Sequence, residues 1–139
     1  MKNIKAMVRY ISVLWLALFW MSCNANKTSD ESYDYIGYDI NGIKTIEGIL
    51  TIEQGDSTDI SCNWDFSAIG NPQNIGPQIG KGTGTGFIDD ISFYANLNPN
   101  YADNNVMLVG TIDGNTIQGE WTFAGFPGVI NSGTFVAQN

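Results

Sequence analysis

The chain has 139 residues, of which 14 are acidic and 6 basic, with no histidine and a formal net charge of −8. That balance excludes the basic patch that nucleic-acid binding requires, and the missing histidine removes the usual general base and the commonest zinc ligand. A chain this long can bury one hydrophobic core, and no second composition regime points to another domain.

Residues 1–22 read as an export signal. Lys2, Lys5 and Arg9 give a basic start, and Tyr10 to Met21 is an apolar run interrupted only by Ser12. That run is well short of the roughly 20 residues a helix needs to span a bilayer. Ser22-Cys23 closes it and resembles the lipobox of bacterial lipoproteins, which implies that Cys23 becomes the lipidated first residue of the mature chain. Two or more acyl chains would then hold the protein stably on a membrane. The alternative is ordinary secretion, with cleavage near Ser22 or Ala25.

Residues 23–33 read as the lipidated cysteine and a polar tether. Within it, Asp30-Glu31 resembles the acidic export tags of some surface-exposed lipoproteins, the other reading being a solvated linker. Loss of residues 1–22 would leave three basic residues (Lys27, Lys44, Lys81) against the fourteen acidic ones, a net of −11. An anionic membrane would repel such a chain, so any membrane association has to come from the lipid. Acylation of Cys23 would also leave Cys62 without a disulfide partner.

Residues 34–139 form the predicted domain. Helical periodicity is absent, and alternating runs separated by Gly, Asn, Asp and Pro clusters predict an all-β fold. Eight strands are expected, at approximately 34–40, 43–52, 58–66, 79–88, 91–97, 105–112, 115–123 and 132–138. Asn41-Gly42 and Asp113-Gly114 are two-residue hairpin signals whose residues tolerate positive φ, and Asp89-Asp90 is a weaker third. Hairpins make successive strands antiparallel. Eight of them can close as an up-and-down barrel, which removes the open edges of a sheet.

An internal repeat agrees with this plan. Ile60-Ser61-Cys62-Asn63-Trp64-Asp65-Phe66 aligns without a gap on Ile117-Gln118-Gly119-Glu120-Trp121-Thr122-Phe123, fifty-seven residues later. A Gly-Thr strand follows each copy, at Gly82-Thr83-Gly84 and Gly133-Thr134-Phe135. The run Gly110, Ile112, Gly114, Ile117, Gly119, Trp121 is similar to small uncharacterised bacterial lipoproteins with calycin-like (lipocalin- or avidin-like) barrels. The resemblance implies the barrel. It carries over no binding residue, because the early Gly-x-Trp of true lipocalins is missing near the start of the domain.

Strand parity predicts where function would lie. Connections alternate between the two ends of an up-and-down barrel, which places the expected long loops 67–78, 98–104 and 124–131 together, with 41–42, at one end. Short turns hold the other end. Long loops are where binding usually resides. The third and seventh strands run toward the long-loop end, so Trp64, Phe66, Trp121 and Phe123, facing inward, would lie just beneath its mouth. Gly82, Gly84 and Gly86 would leave room opposite. These four aromatics are therefore either the lining of a site for a small apolar or amphipathic ligand, or a plug that fills the core.

Chemistry has little material here. Cys62 shares one strand face with Ile60, Trp64 and Phe66 and is expected to be buried. Asp65 and Glu120 are expected to face outward, and Asp89-Asp90 suits a turn. Asn98 to Asn105 carries oxygen ligands, but its spacing is that of a polar turn rather than an EF-hand loop. The glycines of 80–86 alternate within a strand and cradle no phosphate. No catalytic residue, metal site or cofactor is expected. The overall expectation is a non-enzymatic lipoprotein of the cell envelope, held on the outer membrane through Cys23 and facing either the periplasm or the surface. It would bind a small apolar molecule at the long-loop end, or act as a structural or protein-binding module with a solid core.

Overall fold

A computed structural model describes residues 29–55 and 57–139. The expected signal segment 1–22 and the expected lipidation site Cys23 lie outside the described residues. Every regular element described is a strand: β1 (Ser29–Asp39), β2 (Lys44–Gln54), β3 (Asp59–Ala68), β4 (Gly80–Asp89), β5 (Ser92–Asn96), β6 (Asn104–Asp113), β7 (Thr116–Gly125) and β8 (Gly128–Gln138). Each pairs antiparallel with its neighbours in sequence, and β8 returns to β1, so the sheet is a closed barrel. The all-β, eight-stranded up-and-down architecture is the predicted one.

Local features differ from expectation, including the expected turns Asp89-Asp90 and Asp113-Gly114, which fall one residue later at 90–91 and 114–115. The first strand starts at Ser29, not at residue 34, because Tyr33 alternates inward with Tyr35 and Gly37 and belongs to the core. Residues 29–33 pair with β2 alone, since β8 joins β1 only from Asp34↔Gln138 onward. The segment 124–131, expected as a long loop, is instead most of a hairpin. Its turn shrinks to Phe126-Pro127 between Gly125 and Gly128, where Gly128 takes φ +107°. Finally, Asn41-Gly42 is not a type I′ turn, because only Gly42 has positive φ. The connection spans 40–43, and the Asp39 carboxylate accepts the backbone N–H groups of Asn41 and Ile43 at 2.9 and 2.8 Å.

Alternation carries one side chain in two to the interior, and the inward set is sorted by size. Large rings stand beside glycines on neighbouring strands: Trp64 pairs with Gly82, Trp121 with Gly133, Phe93 with Gly110, and Phe66 with Gly48 and Gly80. A small barrel has too little internal volume for a large side chain at every inward position. Glycine beside each ring lets the rings interdigitate at the density of a protein interior. The centre is an aromatic stack. Tyr35 lies 4.2 Å from Phe66, centroid to centroid, at an interplanar angle of 13°, and 5.6 Å from Phe135 at 17°.

Candidate functional site

The four predicted site aromatics do converge near one end of the barrel. β3 and β7 both run toward the end formed by connections 40–43, 69–79, 97–103 and 126–127. Trp64, Phe66 and Trp121 are buried, and Phe123 is partly buried against the same core. Both indoles use their single donor internally. Trp64 Nε1–H donates to the Leu97 carbonyl at 3.1 Å, and Trp121 Nε1–H donates to the Tyr38 carbonyl at 2.8 Å. Neither indole N–H is left to bind another group.

The room expected above the fourth-strand glycines is occupied. A Cβ on Gly82 would collide with the Trp64 indole, and one on Gly84 would stand 2.7 Å from the Cys62 Sγ. At Gly86 the backbone of Tyr94 and Ala95 fills the space. These glycines make room for the core itself.

Above the rings, the long connection 69–79 crosses the mouth as a cover. Gly76, at φ +69°, sits against the Phe123 ring so closely that a Cβ there would lie 2.6 Å from Cδ2. Asn131 Nδ2–H donates to the Gln73 carbonyl at 3.3 Å, tying the loop to β8. Ile75 packs down on the core, and Gln78 is wholly buried with its amide donating to the Ile75 carbonyl. Two buried polar atoms beneath this end, Tyr35 Oη and Gln78 Oε1, have no hydrogen-bond partner among the described residues. Burial pushes the Tyr35 phenol well above its ordinary pKa, so it is neutral.

The residues weighed for chemistry are dispersed. Cys62 is buried, and desolvation pushes its thiol up to about 11 despite a favourable backbone contact from Gly84, which disfavours the nucleophilic thiolate. Asp65 lies on the outer wall, paired at 2.7 Å with an exposed Lys81, and Glu120 faces solvent from β7. Loop 97–103 is held by its amides. Asn98 Nδ2 donates to the Asn104 carbonyl at 2.7 Å and Asn105 Nδ2 to the Tyr101 carbonyl at 2.9 Å. Among the described residues no group of three or more Cys, Asp or Glu side chains could hold a metal ion.

Open grooves occur on the outer wall. One of about 390 Å³ is lined by Ile49, Thr51, Asn63, Asp65, Lys81 and Thr83, among others. Another of about 520 Å³ runs beside Asp59, Thr85 and Asn96 and a stacked pair, Phe87 and Tyr94, whose centroids are 5.3 Å apart. Sequence reasoning found the tryptophans through the repeat but missed the cover. Its only signal was Ile75, an aliphatic residue inside a Gly, Pro, Asn and Gln stretch that would otherwise have no reason to carry one.

The fold and its interior define an eight-stranded antiparallel β-barrel, an architecture compatible with a calycin-like fold. The sequence matches no family model and no curated protein.

Proposed function

We propose that this chain is a lipid-anchored, non-enzymatic module of the cell envelope that works through its outer surface, as a structural or protein-binding component. The observation that carries the reading is the filled interior. Tyr35, Phe66 and Phe135 stack through the centre, Trp64 and Trp121 cover glycines, and loop 69–79 lies over the mouth. The anchor rests on the basic start, the short apolar run and Ser22-Cys23. The absence of an activity is supported by the outward, dispersed carboxylates and by the buried, protonated thiol.

A second reading, capture of a small apolar or amphipathic molecule above Trp64, Phe66, Trp121 and Phe123, is favoured by one observation. Tyr35 Oη and Gln78 Oε1 are buried without partners, and a guest with one donor would relieve such an acceptor. Melting curves and tryptophan emission against a panel of lipids, sterols and aromatic probes separate the two. The solid-core reading expects neither a raised Tm nor an emission shift, and a saturable change in either would establish the pocket instead. For the anchor, Cys23→Ala should move the protein from the membrane fraction to the soluble fraction, and continued retention would refute acylation.

A further inference from the structure

Most of the exposed large apolar side chains lie at one pole, whereas Ile49, Phe87 and Val109 are on the strands and Ile91 is on a turn at the other pole. Ile40 and Ile43 come from the first connection, Ile79 from the end of the cover, Tyr101 from loop 97–103, and Phe126 and Val129 from the β7–β8 tip. All of these belong to the long-loop end. Phe126 is 93% exposed, a complete aromatic ring standing in water on a two-residue turn. Single exposed hydrophobics are ordinary, whereas a convergence of them marks an interaction surface.

Charge is distributed in the opposite sense. Of all the residues in connections 40–43, 69–79, 97–103 and 126–127, only Asp103 is charged, and the strand ends beside them add Asp39, Lys44 and Lys81. At the other pole Glu53, Asp59, Asp89, Asp90 and Asp113 flank the short turns. The chain as a whole carries −8, and the two lysines on the barrel are already paired, Lys44 with Glu47 and Lys81 with Asp65. A neutral apolar pole is thus set in a negative field.

We infer that the long-loop pole is a docking surface for a protein whose facing patch is apolar at its centre and basic around it, with Phe126 as the side chain buried on contact. The inference deepens the interaction-module reading above and rests on it. A basic surround is what the field of the barrel attracts from a distance, while the sparsely charged pole brings few carboxylates into the contact. Exposed aromatics at the centre of such a patch are the usual energetic anchors of a protein interface. A second copy would bring two negative fields together. The anchoring bilayer is at the wrong end: β1 enters at the acidic pole, and Cys23 precedes Ser29 by only six positions. Extended chain covers those positions in about 20 Å, less than the roughly 25 Å height of a barrel with ten-residue tilted strands.

The test places the photoreactive residue benzoylphenylalanine at position 126, and in a control chain at position 113, of the full-length protein in its own cells. Irradiation should give one discrete adduct at 126, of the chain with a different protein whose contact peptide is rich in Lys or Arg, and none at 113. Val129→Asp in the same chain should cut that adduct at least tenfold, with the melting temperature of the purified barrel unchanged because Val129 is exposed. An adduct of twice the chain's mass, lipid adducts alone, equal yields at 126 and 113, or no adduct at either position would each overturn the inference. So would an adduct that survives Val129→Asp. Failure of the anchor reads out separately, as unchanged fractionation of Cys23→Ala.

Discussion

Trp64 and Trp121 are one structural feature built twice, on opposite walls of the barrel. Each ring lies over a glycine of the following strand, Gly82 on β4 and Gly133 on β8. Each indole N–H donates to a backbone carbonyl at the next strand beyond, Leu97 just after β5 and Tyr38 on β1. The fifty-seven-residue repeat is therefore a repeat of contacts as well as of letters. Its second aromatic breaks the symmetry: Phe66 stacks in the centre on Tyr35, whereas Phe123 is only partly buried and lies under Gly76 of the cover.

Truncating either tryptophan should be severe. Trp121→Ala removes a fully buried ring and should cost about 3–5 kcal/mol in urea unfolding, with Trp64→Ala close behind. Phenylalanine at either position keeps most of the volume but leaves a buried carbonyl short of its donor, a loss of about 1–3 kcal/mol. A near-neutral Trp121→Ala would mean that the ring is not the core element described here.

Gly82→Ala tests the size sorting directly. The added methyl group meets the Trp64 indole, so the variant should lose about 1–3 kcal/mol by overpacking. Pairing Gly82→Ala with Trp64→Phe should recover part of that loss, because the smaller ring vacates some of the space. A double-mutant cycle in denaturant would measure the coupling.

Tyr35→Phe should be neutral or stabilising. The hydroxyl is buried with no partner among the described residues, and removing an unsatisfied polar group relieves about 1 kcal/mol or more while the stacked ring remains. Chemical denaturation of the two proteins checks the sign. A clear loss of stability would indicate that a bound water or guest satisfies the hydroxyl in solution.

Alkaline pH should weaken the fold. The Cys62 thiol ionises at about 11 when folded, against an ordinary 9, and the Tyr33 and Tyr35 phenols are raised as well. Between those thiol values the unfolded chain has lost a proton that the folded chain keeps, so stability is full below pH 9 and falls as pH rises toward 11. Unfolding free energies across that range should decline, and less steeply in Cys62→Ala. The same burial should make Cys62 inert to thiol reagents at pH 8 until denaturant is added.

Much of this architecture was legible because its signals are local. Alternation around Ile60-Cys62-Trp64-Phe66, the turn residues, and the parity of hairpin connections require no knowledge of distant contacts, and together they yield eight antiparallel strands and the convergence of four aromatics at one end. The errors arose where a local signal had two outcomes. Phe126-Pro127-Gly128 reads as a loop breaker, yet Gly125 and Gly128 let it close a tight hairpin. Asp30 to Tyr33 reads as tether, yet pairing with Leu50 to Glu53 of β2 makes it strand.

By itself, the order of residues determined the strand plan, the inward faces and the pole that carries the long connections, since each follows from period-two alternation and turn chemistry within a few residues. Only the closed tertiary structure decided what the interior holds. Whether Gly82 leaves a space or receives an indole depends on where Trp64, eighteen positions earlier, directs its ring across the ladder. The gathering of Ile40, Tyr101 and Phe126 into one apolar pole was likewise decided there, because residues far apart in sequence become neighbours only when the barrel closes.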